Sequence, residues 1–211
     1  MKIPLFVLCA TILVSSCLFA ADKPESKDDG SKNLRQSYSG KIGFYKPGDG
    51  LNNGLLIGVD GITEFTHYNF FLSASLDVYP KQTFDFYENP KPDIQQQQLF
   101  LLPLHVNFGY QIFNIEDADC RGYLGAGGGY YFYFYTADYR TSSGGIIPTY
   151  TSHSDSKNGG STFGTVFARV LLGKIFVEPR FYFASKSEEN FAGSRFVVDP
   201  SGFAITIGFQ Q

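Results

Sequence analysis

The chain has 211 residues, 17 basic and 20 acidic, for a formal charge of −3, with 23 Gly, 22 Phe and 14 Tyr but no Trp. That length accommodates one domain plus a targeting segment, and the charge balance excludes the basic patch that nucleic-acid binding requires. The histidines (His67, His105, His153) and the cysteines show no metal-ligand spacing, so neither a metal nor another cofactor is expected.

Residues 1–21 read as a secretory signal peptide. Lys2 supplies the positive end, positions 3–19 are almost wholly apolar, and Ala20 and Ala21 offer a cleavage site. Pro4, Thr11, Ser15 and Ser16 interrupt the run, whereas a retained membrane helix needs about 20 clean apolar residues. Val14-Ser15-Ser16-Cys17 also matches a lipoprotein signal in which Cys17 is lipidated, although Leu18 and Phe19 prolong the apolar run beyond it. Cleavage near residue 21 leaves Cys120 alone, so no intrachain disulfide can form. Residues 22–37 then read as a flexible charged leader: eight of the fifteen residues from Asp22 to Gln36 are charged and no periodicity is present.

From 38 onward the pattern has period two, which marks strands. Segment 38–46 sets Tyr38, Ile42 and Phe44 against Ser39, Lys41, Gly43 and Tyr45; segment 54–62 sets Leu55, Ile57 and Val59 against Gly58 and Asp60. Segment 66–79 opposes Tyr68, Phe70, Leu72, Ala74, Leu76 and Val78 to Asn69, Ser73, Ser75 and Asp77. Segment 98–113 opposes Phe100, Leu102, Leu104, Val106, Phe108 and Ile112 to Pro103, His105, Asn107, Gly109 and Gln111. In 121–136, Leu124, Ala126, Tyr130, Phe132 and Phe134 alternate with glycines and with Tyr123, Tyr131 and Tyr133. Segment 162–172 is mixed, since Phe163 and Phe167 share a face with Thr165 and Arg169. Segment 175–185 sets Ile175, Val177, Phe181 and Phe183 against Glu178, Arg180 and Tyr182, and 202–210 sets Phe203, Ile205, Ile207 and Phe209 against Ala204, Thr206 and Gly208.

Eight segments of mostly 9 to 16 residues exceed the five or six typical of soluble strands and suffice to cross a bilayer. The links alternate in length. Residues 63–65, 114–120 and 173–174 are short, whereas 80–97, 137–160 and 186–201 are long and 47–53 is intermediate. Periplasmic turns and extracellular loops alternate in this way in outer-membrane barrels. The polar face carries Gly, Ser and a few charges in place of the Lys- and Glu-rich exterior of a soluble barrel. The expected fold is all-β: an eight-stranded antiparallel up-and-down transmembrane β-barrel over 38–211, in the outer membrane and surrounded by its lipid.

The carriers of a family resemblance are Leu102-Pro103-Leu104-His105-Val106-Asn107-Phe108-Gly109-Tyr110 and Tyr123-Leu124-Gly125-Ala126-Gly127-Gly128-Gly129-Tyr130-Tyr131. Val177-Glu178-Pro179-Arg180-Phe181 and the stretch 203–209 complete the set. On these residues the chain resembles the OmpA-like eight-stranded outer-membrane β-barrel domains, over roughly 38–209. The resemblance implies architecture more than activity, because the family holds porin-like, structural, adhesive and enzymatic members. It also implies an assembly signal read by the barrel-assembly machinery: an alternating last strand ending in an aromatic residue. Phe209 takes that place, with Gln210 and Gln211 following where the family usually stops.

Lys41, Asp60, Asp77, His105, Arg169, Glu178 and Arg180 are the expected interior polar residues, forming a charge network that fills the lumen. An eight-stranded interior is just wide enough for side chains. No catalytic residue is expected. His153-Ser154-Asp155 are merely adjacent, and a triad is defined by geometry. Tyr139, Arg140, Ile146, Ile147 and Tyr150 are expected in the long loop 137–160, either as contacts for an extracellular ligand or packed on one another, with the same ambiguity at 84–87. The expected function is a small non-enzymatic outer-membrane protein with surface loops for structural or interaction roles. Two readings from other classes stay open: a lipid-modifying enzyme, and a narrow channel or binder of small hydrophobic ligands.

Overall fold

A computed structural model describes residues 34–48, 51–81, 93–143, 149–191 and 194–211. The expected signal peptide and most of the leader lie outside these residues, as do Ile146, Ile147 and the segment 84–87. The described residues form ten strands: β1 (Leu34–Pro47), β2 (Gly54–Phe65), β3 (Phe70–Lys81), β4 (Asp93–Ile115), β5 (Cys120–Ser143), β6 (Thr149–Leu172), β7 (Ile175–Ala184), β8 (Ser187–Phe191), β9 (Ser194–Val198) and β10 (Gly202–Gln210). Eight close a barrel in the order β1-β10-β7-β6-β5-β4-β3-β2, and β8 and β9 pair only with each other. Closure removes every free edge within the barrel wall.

Period-two alternation becomes an inside-out wall. Tyr38, Ile42, Phe44, Leu104, Val106, Phe108, Phe181, Phe183, Ile205 and Ile207 are exposed on the outside. Ser39, Lys41, Tyr45, Asp77, His105, Asn107, Glu178 and Arg180 are buried inside. The mixed segment keeps its register without a bulge, and Phe163, Thr165, Phe167 and Arg169 all face the lumen.

The short ends are tight turns with defined chemistry. Single-turn 3-10 helices at Thr66–Tyr68 and Glu116–Ala118 lead into left-handed residues Asn69 (φ 56°) and Asp119 (φ 43°). Asn and Asp tolerate that conformation best among non-glycine residues. The third turn uses Gly173 at φ 59°.

Several boundaries depart from the sequence expectation: β2 runs on to Phe65 and β4 begins at Asp93, inside the predicted links 63–65 and 80–97. β1 begins at Leu34, so the leader does not extend to 37; Tyr38 still pairs with the chain end, its N–H donating to the Gln211 carbonyl at 3.1 Å. Thr66–Tyr68 leaves the predicted third strand and forms the turn. The predicted loop 137–160 is instead largely strand, with β5 and β6 paired continuously from Cys120↔Leu172 to Ser143↔Thr149. The predicted loop 186–201 contains the β8–β9 hairpin. On the β6 side of the first of these links the missed pairing has a physical cause. Residues 150–158 are exposed throughout, so neither face selects apolar side chains and no alternation is written into the sequence.

Candidate functional site

Six of the barrel strands aim charged side chains or His105 at one level of the lumen, because each strand sends alternate residues inward. Lys41 Nζ lies 2.8 Å from Asp60 Oδ1 and 3.0 Å from Asp77 Oδ1. Arg169 Nη2 spans to Asp60 Oδ2 at 2.8 Å and to Glu178 Oε2 at 2.6 Å. Arg180 Nη2 donates to Glu178 Oε1 at 2.7 Å. Three basic and three acidic side chains thus form one belt, each of them buried.

His105 links the belt's two halves. Its Nε2 donates to Asp77 Oδ2 at 3.0 Å, while Nδ1 lies 2.9 Å from Arg180 Nη1. Nδ1 also lies 2.9 Å from Asn107 Oδ1, so the imidazole, the guanidinium and the amide meet at one point. Arg180 Nη1 also donates to Asn107 Oδ1, and Asn107 Nδ2 donates to the hydroxyls of Ser73 and Ser75. Tyr182 donates to Asp77 Oδ2 and Ser39 to Asp60 Oδ2. A buried ion pair costs desolvation energy that only such a set of partners offsets.

Apolar layers close the belt on both sides. Toward the short turns lie Ile62, Phe71, Phe167, Leu171 and Phe176. The Arg169 guanidinium stacks 4.4 Å from the Phe176 ring centre, and that of Arg180 lies 4.7 Å from Phe167. Glycine makes this layer possible. A Cβ at Gly109 would run into the Phe71 ring, and one at Gly208 into the Phe176 ring. Toward the long links lie Tyr45, Tyr79, Tyr131, Phe163 and Tyr182, followed by Leu99, Leu101, Tyr133 and Tyr135. Three of these tyrosines tie down connections: Tyr45 donates to the Pro200 carbonyl, Tyr79 to that of Asn52, and Tyr131 to that of Ser185 at 2.9 Å.

The structure therefore brings Lys41, Asp60, Asp77, His105, Glu178 and Arg180 together with Arg169. A belt packed between aromatic layers holds its groups away from any solute, which suits a filled wall and not a substrate site. Sequence reasoning missed Asn107, Ser73, Ser75 and Tyr182 as members of the network. Each was visible as an inward position of its strand, but which strands face each other across the lumen is a property of closure.

The expected loop contacts fall on strands. Tyr139 and Arg140 are on β5 and Tyr150 is on β6, while Ile146 lies outside the described residues. Tyr139 and His153 are cross-strand partners whose rings stack at 5.2 Å. Strand alternation places His153 and Asp155 on one face and Ser154 on the other, so these neighbours cannot form a triad. Phe209 is outward-facing, with Lys174 Nζ 5.8 Å from its ring centre. Gln210 and Gln211 are built into the wall. Gln210 Nε2 donates to Ser37 and Glu64, and the Gln211 N–H donates to the Tyr38 carbonyl at 2.8 Å.

No family model matches the chain, and no curated protein does. Solved structures do. The chain is similar to Ail, the attachment invasion locus protein of Yersinia pestis, at 13% identity and a TM-score of 0.41, over 84% of this chain and 97% of that one. Neisserial surface protein A is similar at 9% identity and a TM-score of 0.45, over 85% and 96%. A major outer membrane protein from Thermus thermophilus is similar at 10% identity and a TM-score of 0.45, over 84% and 100%.

Proposed function

We propose that the chain is a non-enzymatic outer-membrane β-barrel protein whose extended β5–β6 hairpin presents an interaction surface outside the cell. The observation that carries this reading is the inverted wall. Large apolar side chains such as Ile42, Leu104, Val106, Phe181 and Ile207 are exposed around the barrel, while Lys41, Asp60, Asp77, Arg169, Glu178 and Arg180 are buried inside. In water such a surface would far exceed the apolar patch a soluble monomer tolerates. In a bilayer it meets hydrocarbon, and closure satisfies the backbone. The filled lumen supports a structural or binding role over a channel.

The test is refolding of urea-unfolded chain with and without vesicles. Folded protein should form only with lipid present and should float with it. A monodisperse folded monomer in plain buffer would overturn the proposal. Planar-bilayer recordings should give no steady conductance, whereas stable ion steps would favour a channel.

A further inference from the structure

β6 is flanked on both sides only as far as Phe163. Its ladder with β7 ends at Phe163↔Ala184, whereas its ladder with β5 continues to Ser143↔Thr149. Among the described residues, no strand therefore lies beside 149–162 on the β7 side, and β8 and β9 pair only with each other. Successive residues of a strand turn their N–H and C=O groups to opposite sides, so this stretch presents a row of backbone donors and acceptors beyond the barrel. Proteins ordinarily blunt such an edge with proline, bulges or lysines. Here 149–162 holds no proline and a single lysine, and its register with β5 is unbroken.

Two features fit this edge to a copy of itself. The first is charge. The midpoint of 149–162 falls between Asp155 and Ser156, and antiparallel pairing about a two-fold axis at Ser156 sets Asp155 against Lys157 of the second copy and Lys157 against its Asp155. Both side chains are exposed, and neither joins an ion pair among the described residues. Asp155 accepts only from the adjacent Ser156 N–H, at 2.9 Å. Opposite charges placed across a strand pair stabilise it, and here symmetry supplies two such pairs at once.

The second feature is length. The same register uses nearly the whole free edge and brings Tyr150 opposite Thr162 of the second copy, where the β6–β7 ladder has just ended. A recess of about 530 Å³ opens there, lined among others by Thr162, Gly164, Phe183 and Ser185. Tyr150 is 62% exposed, and residues paired across strands share a face, so its ring is directed at the recess.

We propose that the free edge of β6 pairs with the same edge of a second copy and so joins two facing membranes. Antiparallel pairing sends the two β6 strands, and with them the two barrels, in opposite directions. The proposal rests on the reading of the β5–β6 extension as an outer interaction surface and names its partner. A single ladder is a modest contact, but facing membranes carry many copies, and multivalency multiplies it.

The full chain is expressed in two populations of Gram-negative cells bearing different fluorescent dyes, with the amount of folded barrel matched by its heat-dependent gel shift. Wild-type cells should clump. Asp155→Lys and Lys157→Asp each set like charges against one another at both positions and should weaken pairing about tenfold. Mixed together, the two variants restore both opposite-charge pairs, so the two dyes should clump with each other although neither population clumps alone. Should either charge variant fail to reach the membrane, Tyr150→Ala is read in its place and should also reduce clumping. Wild-type cells that stay dispersed, variants that clump like wild type, or a mixture that fails to clump would each overturn the proposal. Clumping with cells that lack the chain would mark a foreign partner and overturn it too. Absence of folded chain from the outer membrane would instead overturn the membrane reading.

Discussion

Asp60 on β2 accepts from Ser39 and Lys41 on the preceding strand and from Arg169 on β6, at 2.8 to 2.9 Å. Removing its charge leaves Lys41 with Asp77 and Arg169 with Glu178 as their remaining acidic partners, three cations against two carboxylates in a buried belt. Asp60→Ala should therefore cost about 3–5 kcal/mol, the usual penalty for breaking a buried pair from one side. Equilibrium unfolding in lipid vesicles measures it, and a loss below about 1 kcal/mol would show that water reaches the belt. Packing is equally unforgiving. A Cβ at Gly127 would come against Asn107 Oδ1 and the Val106 carbonyl, so Gly127→Leu should destabilise by about 1–3 kcal/mol or abolish folding. Gly40→Leu, with open space outside, should fold at wild-type yield.

On β4 the two faces alternate strictly over 103–110. Leu104 points outward while its neighbour His105 is buried in the belt. Leu104→Arg should cost about 2–4 kcal/mol, because the guanidinium enters hydrocarbon or deforms the bilayer to stay hydrated. The penalty should grow from thin to thick bilayers. Equal stability in both would show that this face does not meet lipid. β10 carries a second contrast. Phe209→Ala should slow vesicle insertion, since the aromatic end is the expected assembly feature. Deleting Gln211 should mainly lower the stability of the inserted barrel, by about 1–3 kcal/mol, because it breaks the two backbone bonds to Tyr38. Insertion half-times and unfolding midpoints, compared for the two variants, separate these roles.

For the whole molecule the alternation of link lengths predicts orientation. The turns at Thr66–Tyr68, Glu116–Ala118 and Gly173 belong to one end, and the β5–β6 and β8–β9 hairpins to the other. In a Cys120→Ser background, Ser142→Cys should react with a membrane-impermeant thiol reagent on intact cells and Asp117→Cys should not. The reverse pattern would invert the topology.

The number of barrel strands, their facing and the inside-out wall were legible from residues alone, because a side chain's face depends only on its parity along the strand. Lys41, Asp77 and Arg180 could be assigned to the interior in this way. What tertiary structure decided was everything set by closure and register. It joined Arg169 to Asp60 across the lumen, seated Phe71 and Phe176 against glycines of other strands, and continued β5 and β6 well past the barrel. The β6 side of that extension left no apolar alternation because residues 150–158 are exposed, and the backbone hydrogen bonds that pair it with β5 do not depend on which side chains the strands carry.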